Sequence, residues 1–185
     1  MKVIHRSRVG WVWLLAAAGV LAGVAACSVP LVRIEDVPLD LEVHGPQVAV
    51  VHATGVQVYT CTADAGGQLS WTLKGPDATF ENVAGLKGRH YGGPTWEAQD
   101  GSKVVGRKLQ EHASPTGDAV PWLLLEGVKH EGNGVLSHVS YVQRIHTAGG
   151  KAPAVENAKV GDEARVRYSA DYVFYGPGAS ILSPD

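Results

Sequence analysis

The chain has 185 residues, 45% hydrophobic and 18% charged, with 16 Lys+Arg against 18 Asp+Glu. Without residues 1–26 the balance is 13 to 18, a formal charge of −5, and the only dense basic cluster is Lys2, Arg6 and Arg8. That excludes a protein that tracks nucleic-acid phosphates, while the roughly 150 residues that remain suffice for one domain with a core of its own.

The N-terminus reads as an address. Behind the three basic residues, an apolar run of 18 residues from 9 to 26 ends in Val24-Ala25-Ala26-Cys27. Small residues just before a cysteine are the pattern of a bacterial lipoprotein signal, in which residues 1–26 are removed and Cys27 is lipidated as the mature N-terminus. A retained membrane span is the alternative, because 18 residues are near the lower limit for crossing a bilayer. The three glycines and six alanines of the run suit peptidase access better than a stable anchor. Either reading puts the bulk of the chain outside the cytoplasm. The expected location is the cell envelope, with a lipid tie to the outer membrane or the periplasmic face in a Gram-negative host.

After this segment the expected organisation is a linker over 27–45, an all-β domain over 46–176 and a short flexible tail over 177–185. With Cys27 committed to lipid, Cys61 is the only thiol left, so no intramolecular disulfide forms and packing must supply the stability. Its neighbours Val58 and Tyr59 mark Cys61 as a small buried hydrophobe.

From residue 46 to 175, short runs rich in Val, Tyr, Thr and Leu alternate with glycine-containing turns, and no stretch keeps an apolar period near 3.6. Ala65-Gly66-Gly67 is expected to join strands over 56–63 and 68–73. Leu69, Trp71 and Leu73 should share the drier face of the second of these. Asp100-Gly101 is expected to join 91–98 to 103–111, and Asn133-Gly134 to join 122–130 to 135–146. A two-residue Asn133-Gly134 loop would set Glu126 opposite Tyr141 and Val128 opposite Val139. It would put Trp122, Leu124 and Ile145 on one face, with Leu123, Leu125, Val142 and Arg144 on the other. Apolar residues on both faces predict a strand pair covered above and below. Near the end, Val166, Tyr168, Ala170, Tyr172 and Phe174 alternate with polar residues and should face the core. The fold expected is a single antiparallel β-sandwich or partly open β-barrel built from sequential hairpins.

Familiar catalytic spacings are missing. Gly132-Asn133-Gly134 lacks a third glycine and opens no helix, so no nicotinamide or other dinucleotide cofactor is expected, and neither a Walker loop nor a Gly-x-Ser-x-Gly elbow occurs. Seven histidines follow residue 26 without His-Glu-x-x-His or Cys/His pairing, and the hairpin register would send His130 and His138 to opposite faces, so no metal is expected. The densest set of ligand-contacting groups is His90-Tyr91-Gly92-Gly93-Pro94-Thr95-Trp96-Glu97, followed by Asp100. Trp96 could stack on a sugar or small polar ligand while His90, Tyr91, Glu97 and Asp100 supply hydrogen bonds. In the bland alternative, Trp96 packs in the core and Glu97 lies on a solvated edge. Arg144 and Asp171 each interrupt an apolar strand and are candidate ion partners, as a structural pair or as a ligand clamp.

Several segments together carry a family resemblance: Gly55-Val56-Gln57-Val58-Tyr59-Thr60-Cys61, Gly75-Pro76-Asp77-Ala78, the His90–Glu97 stretch, Asp100-Gly101-Ser102, Pro121-Trp122-Leu123-Leu124-Leu125, Tyr141-Val142-Gln143-Arg144, Gly149-Gly150-Lys151-Ala152-Pro153 and Tyr168-Ser169-Ala170-Asp171-Tyr172. In order and spacing they resemble the domain-of-unknown-function family 3455 (DUF3455) of exported bacterial and fungal proteins. The resemblance implies no activity, substrate or catalytic residue. Some fungal relatives carry a malate dehydrogenase label, which the missing dinucleotide fingerprint does not support. Relatives also tend to have a second cysteine after the Gly-Gly-x-Ala-Pro stretch, where this chain has Val155-Glu156-Asn157-Ala158.

The function expected is a lipid-anchored envelope protein that binds a small polar or glycan ligand, or a partner, without a cofactor. The alternatives are a hydrolase using Glu97 or Asp100 with His90 as acid/base, and a purely structural envelope protein. A pocket around Trp96 would favour the first two, whereas Trp96 inside a filled barrel would favour the third.

Overall fold

A computed structural model describes residues 37–182. The signal segment, Cys27 and the first part of the linker lie outside the described residues. Eight antiparallel strands close into a barrel in simple chain order: β2 (Gln47–Ala63), β3 (Leu69–Glu81), β4 (Lys87–Tyr91), β5 (Thr95–Ala98), β6 (Lys103–His112), β7 (Trp122–Glu131), β8 (Tyr141–Gly149) and β9 (Glu163–Tyr175). Closure is made by the 17-residue β2, which pairs with β3 along one edge and β9 along the other. The all-β antiparallel fold is therefore the barrel rather than the sandwich, and joining the two edge strands leaves neither open to another chain.

Alternation decides what fills the barrel. On β9, Tyr168, Ala170, Tyr172 and Phe174 turn inward and are buried. On β2 the inward residues are Ala49, Val51 and Ala53. Small residues on one wall leave room for Phe80, Trp96, Tyr172 and Phe174 from the others, as the narrow lumen of an eight-stranded barrel demands. Cys61 is fully buried. On β3, Leu69 and Trp71 are half-buried but Leu73 is 51% exposed, so the drier face expected there ends before Leu73.

A second apolar layer lies outside the barrel. Trp122, Leu124, Ile145, Val173 and Tyr175 point away from the lumen and are covered by Leu41 and Val43. The 3-10 turn Leu39–Leu41 and the short ribbon of β1 (Val43–His44) with β10 (Ser180–Ile181) make this cover. Two hydrogen bonds hold it down: Gln143 Nε2 donates to the Leu41 carbonyl at 2.6 Å, and the Tyr175 hydroxyl donates to Gln143 Oε1 at 2.7 Å. The double-sided apolar pattern of β7 and β8 reflects these two layers.

The β7–β8 pairing has the expected register, with Glu126 opposite Tyr141 and Leu125 opposite Val142. The expected tight turn at Asn133-Gly134 does not form. Beyond Glu126, β7 leaves β8 and continues along β6, while residues 132–140 make a longer loop. Leu136 and Val139 are fully buried in the interior cluster, and burying two aliphatic side chains outweighs the local preference for a two-residue connection. Val128, expected opposite Val139, is half exposed. His130 and His138 consequently border one shallow surface depression instead of opposite faces.

Candidate functional site

Residues 87–98 form a hairpin, β4 and β5 joined by Gly92-Gly93-Pro94, in which Arg89 pairs with Glu97, His90 with Trp96 and Tyr91 with Thr95. Strand alternation then divides the candidates between two sides of the sheet. His90 and Trp96 point into the barrel, 2% and 1% exposed, with rings stacked at 4.4 Å and 8°. Trp96 also meets Tyr172 and Phe174 edge-on, at 5.2 and 6.0 Å between centroids. It belongs to the core and offers no face to a ligand outside the barrel. His90 donates from Nδ1 to the Thr95 carbonyl at 2.8 Å, and burial lowers its pKa to about 3, so the ring is neutral.

Tyr91 and Glu97 face outward. The Tyr91 hydroxyl donates to Glu97 Oε2 at 2.8 Å, and Arg89 reaches the same oxygen at 3.3 Å. The Tyr91 hydrogen bond, followed by the Arg89 and Lys103 charges, keeps the Glu97 carboxyl below the usual carboxylate range. Glu97 is thus an ionised acceptor, the opposite of what a general acid needs. The sheet separates it from His90, so the acid/base pairing expected from the sequence is not assembled.

Asp100 has a structural task. Its Oδ1 accepts from the Ser102 amide at 2.8 Å and the Ser102 hydroxyl at 2.6 Å, while Oδ2 accepts from the Val135 amide at 2.9 Å. The Ser102 hydroxyl oxygen in turn accepts from the Leu136 amide at 3.0 Å, so the β5–β6 turn clips the long β7–β8 loop in place.

Arg144 and Asp171 do not pair. They lie on adjacent strands, with Arg144 opposite Tyr172 and Asp171 opposite Ile145, which sends them to opposite sides of the wall. Outside, Asp171 accepts from His52 Nδ1 at 2.7 Å and His146 Nδ1 at 2.9 Å. His146 sits in the bulge between Ile145 and Ala148 with φ of 49°, the one non-glycine residue with positive φ among the described residues. Inside, Arg144 is 9% exposed and donates from Nε and Nη2 to the Pro121 carbonyl at 3.0 and 2.7 Å.

The outward residues Thr54, Thr79, Arg89, Glu97 and Gln99, with His52 at one end, line an open groove of about 630 Å³ across β2 to β5. Arg89–Glu97 at 3.3 Å and Lys87–Glu81 at 3.2 Å supply paired charges along it. Gly88 forms part of the floor, and a Cβ there would run into the Glu97 carbonyl and the Phe80 ring, so only glycine permits this close approach. Sequence reasoning found Glu97 but missed His52, Thr79 and Arg89. Each is polar at an outward position, but only strand order makes them neighbours. Among the described residues no three His, Cys, Asp or Glu side chains converge as a metal-ligand set.

The family described as "Protein of unknown function (DUF3455)" matches residues 44–176, which run from His44 through β9 and include every candidate except Cys27. The chain belongs to the DUF3455 family. No curated protein and no solved structure matches it. In DUF3455 terms, the matched region comprises the whole barrel and the His44 end of the outer ribbon.

Proposed function

We propose that this DUF3455 protein is exported, tethered to the envelope by a lipid on Cys27, and binds a small polar or glycan ligand in the outer groove. The observation that carries the binding half is the groove itself: adjacent donors and acceptors from four strands, including the Arg89–Glu97 pair, in a volume suited to a small ligand. Tyr91 supports the groove from outside its lining, with its hydroxyl on Glu97 and its ring under the Arg89 guanidinium. The tether rests on the basic start, apolar run and Ala25-Ala26-Cys27 ending.

Each half has its own test. Cys27→Ala is expected to leave an unprocessed precursor without fatty-acid label; label that persists in this variant sinks the lipid anchor. For the groove, the full chain in detergent is titrated with cell-wall glycan fragments, and Glu97→Gln and Arg89→Gln are expected to weaken binding by about tenfold. A structural role without ligand has one observation in its favour, the placement of His90 and Trp96 as core. Silence of every fragment would select it.

A further inference from the structure

Closure joins β2 to β9, but part of β3 outruns its second neighbour. β3 pairs with β2 from Leu69 to Glu81, whereas β4 accompanies it only from Asp77 to Glu81. The β4–β5 turn ends that line, since a Cβ on Gly75 would lie 2.7 Å from Gly92 Cα. Beyond it, residues 69–73 have β2 on one side and, among the described residues, no strand on the other.

The ladder decides which backbone groups face that open side. The Cys61 amide donates to the Asp162 carbonyl at 2.8 Å and the Cys61 carbonyl accepts from the Gly161 amide at 2.9 Å, so both groups of Cys61 turn away from β3. Trp71, opposite Cys61, is then in a non-hydrogen-bonded pair, and its own N–H and C=O point away from β2. The Asp64 amide, which donates to the Gln68 carbonyl at 3.1 Å, fixes the same phase: Gln68, Ser70 and Thr72 bond inward. Leu69, Trp71 and Leu73 therefore present their amides and carbonyls at the edge, where none has a backbone partner among the described residues. Their side chains share one face, Leu69 and Trp71 half-buried and Leu73 51% exposed, while Ser70 and Thr72 are exposed on the other. An open edge is a template for another strand, and residues 69–73 contain neither the charge nor the proline that ordinarily blunts one.

The order of the residues selects the occupant. Leu69-Ser70-Trp71-Thr72-Leu73 reads almost identically from either end. Two such edges, antiparallel about a two-fold axis at Trp71, set Leu69 opposite Leu73 of the second copy, Ser70 opposite Thr72 and Trp71 opposite Trp71. Each outward amide then meets an outward carbonyl, with aliphatic against aliphatic and hydroxyl against hydroxyl. Charge is compatible too, because each copy's Lys74 falls at an end of the paired segment, across from the other copy's uncharged Gln68.

We propose that the open edge of β3 docks a second copy of this chain, residues 69–73 pairing antiparallel about Trp71 so that two barrels share one sheet. Five residues a side are far fewer than the roughly 20–30 of a standard interface, so the dimer is weak and reversible. No residue of the pairing segment lines the outer groove, and the two sites are independent.

The test is register-specific cross-linking of the full chain in detergent under oxidised glutathione. Ser70→Cys and Thr72→Cys are exposed substitutions that meet only across the two-fold pairing, at a non-hydrogen-bonded position whose spacing suits a disulfide. A mixture of the two variants is expected to form linked dimer at least about tenfold faster than either alone, with the unsubstituted chain, which keeps Cys27 and Cys61, setting the background. Adding Leu73→Lys to both variants is expected to slow the mixture about tenfold and leave Tm unchanged, because Leu73 is largely exposed. Glu97→Gln should change neither. Equal rates in the mixture and in the separate variants, as chance collision or shared micelles would give, overturn the proposal. So does a preference that survives Leu73→Lys. Linkage no faster than background in any sample also overturns it and leaves the edge to an extended segment of another protein.

Discussion

The imidazole of His90 lies flat on the indole of Trp96, 4.4 Å apart and 8° from parallel, across a hairpin whose next residues, Tyr91 and Glu97, face solvent. One strand pair thus contributes a core stack to the lumen and a hydrogen-bonded polar pair to the outer face, where Glu97 lines the groove. Each side can be tested separately.

Trp96→Ala removes the ring that touches His90, Tyr172 and Phe174. The expected cost is about 3–5 kcal/mol, enough to unfold much of the population of a marginally stable domain. Denaturant unfolding of the full chain measures it. A stable variant with only a binding defect would return Trp96 to the role of a ligand platform.

His90 makes stability fall with acid. Its pKa is depressed to about 3 in the folded protein against 6.5 in the unfolded chain, so between these values the unfolded state binds the extra proton. The contribution is complete above about pH 6.5 and is lost as pH falls toward 3, at up to about 1.4 kcal/mol per pH unit. Between pH 6.5 and 4.5 this loss precedes most carboxylate titration. His90→Asn, which keeps a donor for the Thr95 carbonyl, is expected to flatten the pH dependence of the denaturant midpoint in that window. Parallel wild-type and variant curves would sink the assignment.

Asp100→Ala deletes three accepted hydrogen bonds and frees the β7–β8 loop from its clip. A loss of about 1–3 kcal/mol is expected, together with faster hydrogen exchange at the Val135 and Leu136 amides and little change in β2 and β9. Glycan binding in the groove should survive, which separates a positioning residue from a contact residue.

Gly88→Ala tests the groove floor. The added methyl must displace both the β5 backbone at Glu97 and the Phe80 ring, with an expected cost of about 1–3 kcal/mol. A neutral result would mean that β4 and β5 can separate there without penalty.

Much of this fold was legible because strand periodicity is local. Tyr168, Tyr172 and Phe174 face the core because residues two apart share a side, and the same rule placed Leu125 and Trp122 on opposite faces. The long β7–β8 loop was illegible because Asn133-Gly134 is a strong local turn signal, overridden by the distant partners of Leu136 and by the Asp100 clip. Arg144 and Asp171 are both conspicuous in the sequence as charges within apolar strands, but they do not pair. Their separation follows from the β8–β9 register and its bulge, which no single strand encodes.

The sequence by itself determined the strand content, the inward set of β9, the family, and the lipoprotein-type N-terminal pattern, since these depend on neighbours a few residues apart. Tertiary structure alone decided that the sheet closes, that His52 and Glu97 share one groove, and that Arg144 lies in the lumen across from Tyr172 while Asp171 lies outside. Those relations join residues far apart in sequence through hydrogen-bonded register and closure, and a local pattern carries no information about which strand will lie beside which.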